Sequence, residues 1–219
     1  MEGSEIMTFG EFDRLLFVCE RSEAPSYLKL LYPHDDAIIV LERIRAAVEA
    51  SGLTLEQTLT TMLRELNWRP QIVAAVAMLI KRNTTCLPEL WSAIFRPCWT
   101  SPQLCAVASR LDPEFLLRAR AWFEDGCQMS IESALRMSPP ERHSALGPSS
   151  IAEHASKVAA SLASLCELDA PSEEWLIRVL QQDRVKELIA NDVDHVGEIA
   201  VRWRQGMDRL LHNSSPAAS

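Results

Sequence analysis

Three cysteines form the densest group of side chains with metal-ligating chemistry in this sequence. Cys86, Cys98 and Cys105 lie within a span of 20 residues. A structural zinc site needs four ligands with local spacing, and these spacings match no zinc motif. Cys105 also lies in an apolar run. We therefore expect no metal site and interpret the six cysteines as free thiols in a reducing cytosol.

Two short runs combine histidine with aspartate. His34-Asp35-Asp36 contains half of a metal phosphohydrolase signature, but the other histidines that the signature requires are missing. Asp192-Val193-Asp194-His195 is typical of a first helical turn, where acidic residues complement the helix dipole. Both runs favour helix starts over reaction centres, and we expect the histidines to be solvated. A Cys-His or Ser-His-Asp site assembled in space remains an open alternative.

Phosphate-binding loops have a sequence signature that this chain lacks. The sequence contains no Gly-x-Gly and no glycine–lysine pattern of the Walker type. We therefore expect no cofactor and a protein that is not an enzyme.

The elements that position these residues are predicted to be helices, and two of them repeat. Pro70–Val76 recurs 32 residues later as Pro102–Ala108, and a tryptophan precedes each copy, at Trp68 and Trp99. A fixed period between twenty and fifty residues indicates stacked supersecondary units. The apolar residues between the copies follow helical spacing, so the unit is helical.

Capping residues and prolines predict where the helices begin and end. Asn67 caps a helix that has Pro70 in its first turn, and Gly52 ends an earlier helix. Asp112 with Pro113 predicts another start. Capping boxes are predicted at Thr8 with Glu11 and at Ser150 with Glu153, and Thr54 with Gln57 predicts the start of another helix. Residues 22–34 contain two prolines and are predicted to form a loop.

A family resemblance follows from the same region. Trp68-Arg69-Pro70, the alanine- and valine-rich run 73–77, Leu90-Trp91, the run 99–104 and Asp112-Pro113-Glu114-Phe115 resemble a bacterial HEAT-like helical-repeat family, mostly uncharacterised. The resemblance covers residues 67–125 and implies a stack of antiparallel helix pairs, an α-α superhelix with flanking helices. It implies little about function, because repeat scaffolds serve many ends.

Composition shifts divide the chain into predicted parts. Residues 1–137 contain the N-terminal helices and the repeat region, and residues 138–149 form a linker rich in proline and serine. Residues 150–212 contain three helices, at 150–167, 172–190 and 192–212. Residues 213–219 are expected to be a disordered tail.

Charge and hydropathy limit the classes of partner and the cellular location that we expect. The net charge is −8, and acidic residues outnumber basic ones by three in residues 1–34, by one in 35–148 and by four in 149–219. Nucleic-acid binding needs a basic face, so the charge argues against it. The longest apolar run, Ile72–Ile80, is too short to span a bilayer, and residues 1–22 lack the apolar core of a secretory signal. We expect a cytoplasmic protein without a membrane partner.

The six tryptophans and two arginines near them have a structural interpretation. Most of the tryptophans fall on the same stripe as leucine and isoleucine, which favours packing between repeats over an aromatic binding surface. We expect Arg69 and Arg96 to hydrogen-bond carbonyls at helix ends.

These observations favour a non-enzymatic protein–protein binding scaffold. Its sharpest form is an immunity protein that occludes a basic bacterial toxin, because an acidic surface is steered onto basic active sites. The candidate partner-binding residues are Glu173, Glu174, Asp192, Asp194 and Glu198. One alternative is an adaptor or regulatory subunit that holds a peptide or helix in a groove of the repeat. Another is a helical-repeat enzyme on nucleic acid, since one such family excises damaged DNA bases. The oligomeric state stays open.

Overall fold

The computed structural model describes residues 8–16, 26–129, 148–192 and 194–213, and every regular element in these ranges is helical. The prediction of an all-α protein is therefore confirmed. Short 3-10 helices lie at Gly10–Phe12, Ser26–Leu30, Asp35–Ala37 and Gly52–Thr54. The α-helices are α1 (Asp13–Leu16), α2 (Ile38–Ser51), α3 (Leu55–Arg64), α4 (Trp68–Lys81), α5 (Leu87–Ile94), α6 (Ser101–Leu111), α7 (Phe115–Glu124), α8 (Pro148–Asp169), α9 (Glu174–Leu180), α10 (Asp183–Ala190) and α11 (Val196–Asn213).

Three predicted helix ends form as expected. The Asn67 side chain accepts a hydrogen bond from the amide of Arg69 at 3.1 Å. The Asp112 carboxylate accepts one from the amide of Glu114 at 2.9 Å, ahead of α7. Gly52 follows α2 with a φ of 50°, a left-handed conformation that favours glycine.

The two predicted capping boxes do not form, and the helix predicted to start at Thr54 does begin after it but without a side-chain cap. Thr54 has a helical backbone at the end of a 3-10 turn, and its hydroxyl donates backwards to the carbonyl of Ser51 at 2.8 Å. A side-chain cap needs an extended residue instead. Helix α8 begins at Pro148, so Ser150 already lies inside it. Near the N-terminus the amide of Phe9 donates to Asp13, and the helix cap at Thr8 does not form.

Two predicted segments are also corrected. Part of the predicted loop at 22–34 is the 3-10 helix Ser26–Leu30. The single helix predicted at 172–190 is two helices, because α9 ends at Leu180 and α10 begins at Asp183.

The two repeat copies lie at the centre of the core. In α4 every residue from Pro70 to Met78 is buried, and in α6 every residue from Ser101 to Ala108 is buried. A helix that is apolar on most sides has to be covered on most sides. Helix α4 packs against α2, α3 and α6, and α6 packs against α4, α5, α8 and α11.

The C-terminal helices join the same core. Helix α11 packs along α8 and against α6, and α8 packs against α6 and α10. Gly197 makes the first of these contacts close, because a Cβ there would overlap the Ser164 side chain and lie 2.8 Å from the carbonyl oxygen of Ala160. Buried side chains from residue 9 to residue 210 form one continuous hydrophobic cluster.

The predicted division into domains stays a prediction. Residues 138–147 of the proposed linker and residues 214–219 of the proposed tail lie outside the described residues. Pro148 and Ser149, the last two residues of that linker, belong to α8, and Asn213 is the last residue of α11.

Candidate functional site

The predicted acidic residues belong to two helix N-termini. Glu173 precedes α9 and Glu174 is its first residue, and both are exposed. In the described part of the chain no cation lies within ion-pair distance of either carboxylate. Asp192 belongs to the turn before α11, and its side chain accepts a hydrogen bond from the amide of Gly197 at 3.3 Å. Asp192 is therefore engaged in ordering the helix start.

The other two predicted acids pair with cations of the same chain. The Asp194 carboxylate lies 4.0 Å from the ammonium of Lys157, which also contacts Glu153 at 2.7 Å. The Glu198 carboxylate lies 2.6 Å from the guanidinium of Arg202, one helical turn later. The structure thus brings Asp192, Asp194 and Glu198 to one turn, where local contacts already offset part of their charge.

The thiols are poor candidates for nucleophiles. Burial raises the pKa of Cys86, Cys98 and Cys105, and it raises the pKa of Cys127 and of Cys166 to about 12. A thiol needs its thiolate form to attack or to bind a metal. These five are free, as predicted, and Cys19 lies outside the described residues.

One histidine differs from the prediction that all are solvated. His154 in α8 is 4% exposed, and its Nε2 lies 2.9 Å from the carbonyl oxygen of Ile94. Its Nδ1 lies 3.5 Å from the Ser101 hydroxyl. Burial lowers the pKa of His154 to about 4, so the ring is neutral at pH 7 and links α8 to the repeat helices. His143 lies outside the described residues.

The arginines near the tryptophans divide into two cases. The guanidinium of Arg96 is buried and donates to the carbonyls of Leu63 and Arg64, which confirms the prediction of a helix-end contact. Arg69 instead lies over the rings of Tyr27 and Trp68, each 5.5 Å from its guanidinium carbon.

Three of the six tryptophans are buried, Trp68 and Trp122 are half-buried, and one is exposed. Trp91, Trp175 and Trp203 are less than 10% exposed, and the indole N–H of Trp203 donates to the carbonyl of Leu30 at 2.6 Å. Trp99 is 54% exposed and packs edge-to-face against Trp68.

A groove runs between α11 and the turn before α2. We call it the α11 groove; residues 31–34 form one wall, and the face of α11 between Ile199 and Arg209 forms the other. Its volume is about 800 Å³, within the usual range for binding sites. Tyr32 is 61% exposed at this groove, and Trp203 forms part of its floor.

Two contacts hold the walls of the α11 groove together. The indole of Trp203 is hydrogen-bonded to the carbonyl of Leu30, just before the turn. Gly206 lets the turn approach, because a Cβ there would lie 2.8 Å from Cγ of Pro33 and 3.1 Å from its carbonyl oxygen. The groove is therefore built by close packing rather than by an open loop.

A second cleft adjoins the α11 groove at the C-terminal end of α11. We call it the arginine cleft, and its volume is about 970 Å³. It lies where the last turns of α4, α6 and α11 meet beside α2. Asp208 and Arg209 line both the groove and the cleft. Four arginines line the arginine cleft: Arg45, Arg82, Arg110 and Arg209.

The charges in the arginine cleft are unbalanced. Arg110 pairs with Asp208 at 3.0 Å, and Arg45 pairs with Glu42 at 2.5 Å. Arg82 and Arg209 have no carboxylate within ion-pair distance among the described residues. A chain with net charge −8 thus carries a locally cationic site.

Sequence reasoning missed this cleft, and the sequence carried no signal for it. Basic residues in a last helical turn complement the helix dipole, so Arg82 and Arg110 were unremarkable one by one. Only the structure shows that Arg82 has a left-handed backbone, with a φ of 53°, at the end of α4, where glycine is the favoured residue.

Family models, curated proteins and solved structures were compared with this chain, and none of them matches it. None of the described helices is both long and apolar enough to cross a membrane. The described residues also contain no group of three or more histidine, cysteine or acidic side chains arranged to hold a metal ion.

Proposed function

We propose that this protein is a non-enzymatic protein–protein binding scaffold that holds a segment of a partner protein in the α11 groove. The observation that carries the proposal is the groove itself, with an exposed Tyr32 on one wall and Arg202 and Arg209 on the other. Aromatic residues and arginine are enriched where proteins bind one another. Arg209 suits a partner segment that combines an apolar anchor with an acidic side chain, whereas Arg202 already pairs with Glu198.

The rigidity of the α11 groove supports this role. The contacts of Trp203 with Leu30 and of Gly206 with Pro33 fix the wall that carries Tyr32. A preformed groove loses little conformational entropy when a partner binds, which favours affinity. This is the adaptor version of the scaffold, in which a peptide or helix is held in a groove.

The immunity-protein version rests on a different surface. Glu173 and Glu174 are exposed, and they could face a basic toxin. Asp194 and Glu198 are already paired with Lys157 and Arg202, which reduces the negative field that they offer to a partner. We therefore rank the groove above the acidic surface as the interface.

The nucleic-acid enzyme has less support. It needs a basic groove with a buried carboxylate inside it. The arginine cleft supplies the basic residues, but the Asp208 side chain is 41% exposed and pairs with Arg110. The buried carboxylate of Asp112 is used elsewhere, since it accepts from the indole N–H of Trp91 at 2.7 Å and pairs with Arg118.

The HEAT-like superhelix and the bacterial cytoplasm belong to the same proposal. We propose α3 with α4, and α5 with α6, as two stacked helix pairs, because the helices of each pair pack on each other and α3 packs on α5. Their second helices, α4 and α6, also pack on each other and are the most buried of the described helices. The helices α2, α7 and α8–α11 then act as flanking layers, as stacked repeats require.

Site-specific photo-crosslinking in the native cell tests the interface. A photoreactive amino acid replaces Tyr32 in the α11 groove, Glu173 on the acidic surface, or the fully exposed Leu53 as a matched control. We expect one protein to crosslink from position 32 and not from position 53. Crosslinking from position 173 alone would move the interface to the acidic surface. Crosslinking to nucleic acid alone, or equal products from all three positions, would overturn the scaffold proposal.

A further inference from the structure

We propose that the arginine cleft binds the carboxylates of acidic side chains in the partner segment. This inference rests on the proposed function, because it assigns the chemistry of the segment that leaves the α11 groove. The groove and the cleft adjoin along α11 and share Asp208 and Arg209 as lining residues, and we propose that one extended segment spans both.

The arginine cleft contains more guanidinium groups than carboxylates. Four arginines line the cleft, and Asp208 is the one carboxylate among its described lining residues. Two of the arginines, Arg82 and Arg209, have no ion-pair partner in the described part of the chain. A guanidinium presents a planar set of donors that matches a carboxylate or phosphate in a bidentate arrangement. The cleft therefore fits an anion better than any neutral or cationic group.

The backbone at Arg82 has a left-handed conformation that is unfavourable for arginine. Its amide donates to the carbonyls of Met78 and Leu79 in the C-terminal turn of α4, and the amide of Asn83 donates to Met78 at 2.9 Å. This is the hydrogen-bond pattern of a Schellman motif, which places a left-handed residue at this position. Arginine is strained there, whereas glycine is not. The strain is explained if the Arg82 side chain is needed in the cleft.

The combined length of the groove and the cleft fits a short extended peptide. Residues 199–213 of α11 run past both sites and span about 21 Å at 1.5 Å per helical residue. An extended segment of about six or seven residues covers that distance. The occupant is therefore a short peptide segment, with its apolar anchor beside Tyr32 and its acidic residues beside Arg82 and Arg209.

Fluorescence anisotropy with defined probes tests this assignment on the full chain. The probes are a fluorescein-labelled peptide of leucines followed by glutamates, the same peptide with phosphoserines, the same peptide with lysines, and a labelled single-stranded oligonucleotide. We expect the glutamate peptide to bind and the lysine peptide not to bind. Much tighter binding of the phosphoserine peptide than of the glutamate peptide overturns the carboxylate assignment in favour of phosphorylated residues. Tighter binding of the oligonucleotide than of either acidic peptide, or equal binding of all probes, overturns the proposal.

Substitutions that should weaken, preserve or strengthen peptide binding test whether the arginine cleft is the binding site. Replacing Arg82 and Arg209 by glutamate should weaken peptide binding by about tenfold or more at low salt. Arg178→Glu with Arg184→Glu changes the net charge equally on exposed residues of α9 and α10, and it should leave binding unchanged. Asp208→Asn removes the partner of Arg110 and should strengthen binding. If the matched control weakens binding as much, or if Asp208→Asn weakens it, the cleft is not the site.

The two proposals fail in different ways. Photo-crosslinking from position 32 that persists in the Arg82→Glu, Arg209→Glu chain, together with unchanged peptide binding, would remove the arginine cleft and leave the scaffold intact. Absence of protein crosslinking from both position 32 and position 173, in a chain that keeps Arg82 and Arg209, would remove the scaffold itself. Circular dichroism on each variant shows that the helices are retained.

Discussion

The two ends of α11 show how differently the same kinds of charged residue can be used. At its N-terminal end, Asp192 caps the helix, and Glu198 is paired with Arg202 of the same chain. At its C-terminal end, Arg82 and Arg209 line a cleft in which guanidinium groups outnumber carboxylates. The acidic end is thus largely satisfied by its own chain, whereas the basic end is not. Net charge counted along a sequence does not reveal which end has charge left for a partner.

We expect the largest effect on the free energy of unfolding at low pH. Acid should act on the buried core around His154 and not on the charged ends of α11. Burial lowers the pKa of His154 to about 4, below the ordinary value near 6.5. The unfolded chain therefore binds a proton that the folded chain excludes. Stability is fully present above about pH 6.5 and falls by up to about 3 kcal/mol as the pH decreases to about 4. Urea unfolding at a series of pH values measures this slope.

The histidines at the two ends provide the matched control. His195 and His212 are exposed, and a chain with both replaced by glutamine should keep the slope. His154→Gln should flatten it, whatever the variant does to absolute stability. The opposite result would place the acid sensitivity at the ends of α11. In that case the pH dependence of the unfolding free energy is kept in His154→Gln and is lost when His195 and His212 are replaced.

Gly197→Ala tests whether the acidic end of α11 is fixed by packing. A helical glycine replaced by alanine ordinarily gains up to about 1 kcal/mol. Here the added Cβ meets the Ser164 side chain and lies 2.8 Å from the carbonyl oxygen of Ala160, so we expect a loss of about 2 kcal/mol in urea unfolding. Adding Ser164→Ala should recover part of that loss, because it removes the side-chain contact and leaves the backbone one. A stabilised Gly197→Ala chain would contradict the close packing of α8 on α11.

Arg82→Gly sharpens the comparison at the basic end, because it should raise stability and lower binding. Glycine adopts the left-handed conformation at the end of α4 without strain, so unfolding should require about 1 kcal/mol more. Arg120→Gly, in the interior of α7, should instead lose about 1 kcal/mol. Thermal unfolding and the anisotropy assay on both variants check the two signs. A more stable Arg82→Gly chain with unchanged peptide binding would leave the strained arginine unexplained.

The sequence was sufficient for the helices that local signals control. The apolar faces of α4 and α6, the cap at Asn67 and the glycine at 52 are local properties, and they led to the all-α class and to the most buried helices. The capping boxes failed because the helices begin at other residues, as α8 does at Pro148. The single helix predicted over 172–190 failed because its periodicity continues across the break after Leu180.

The candidate site could not be read from the sequence in the same way. Arg45, Arg82, Arg110 and Arg209 come from four different helices or helix ends, and only tertiary packing brings them to one cleft. His154 looked like a residue near a helix start, but its neighbours Ile94 and Ser101 are more than fifty residues away in the chain. The acidic residues were visible in the sequence, yet their internal partners Lys157 and Arg202 were not assigned.

The smallest expected effect concerns the acidic end of α11. Glu198→Gln removes an exposed pair with Arg202 and should cost no more than about 0.5 kcal/mol of stability. If the α11 groove is the interface, lysine at position 194 leaves crosslinking from position 32 unchanged. So does lysine at Glu173 and Glu174, which pair with no cation among the described residues. If the acidic surface is the interface, both changes slow association with a basic partner at low salt, and the effect fades at high salt. Stopped-flow association at two salt concentrations distinguishes these outcomes. The pair Glu173 and Glu174 should then have the greater effect, because no cation of the described chain offsets their charge.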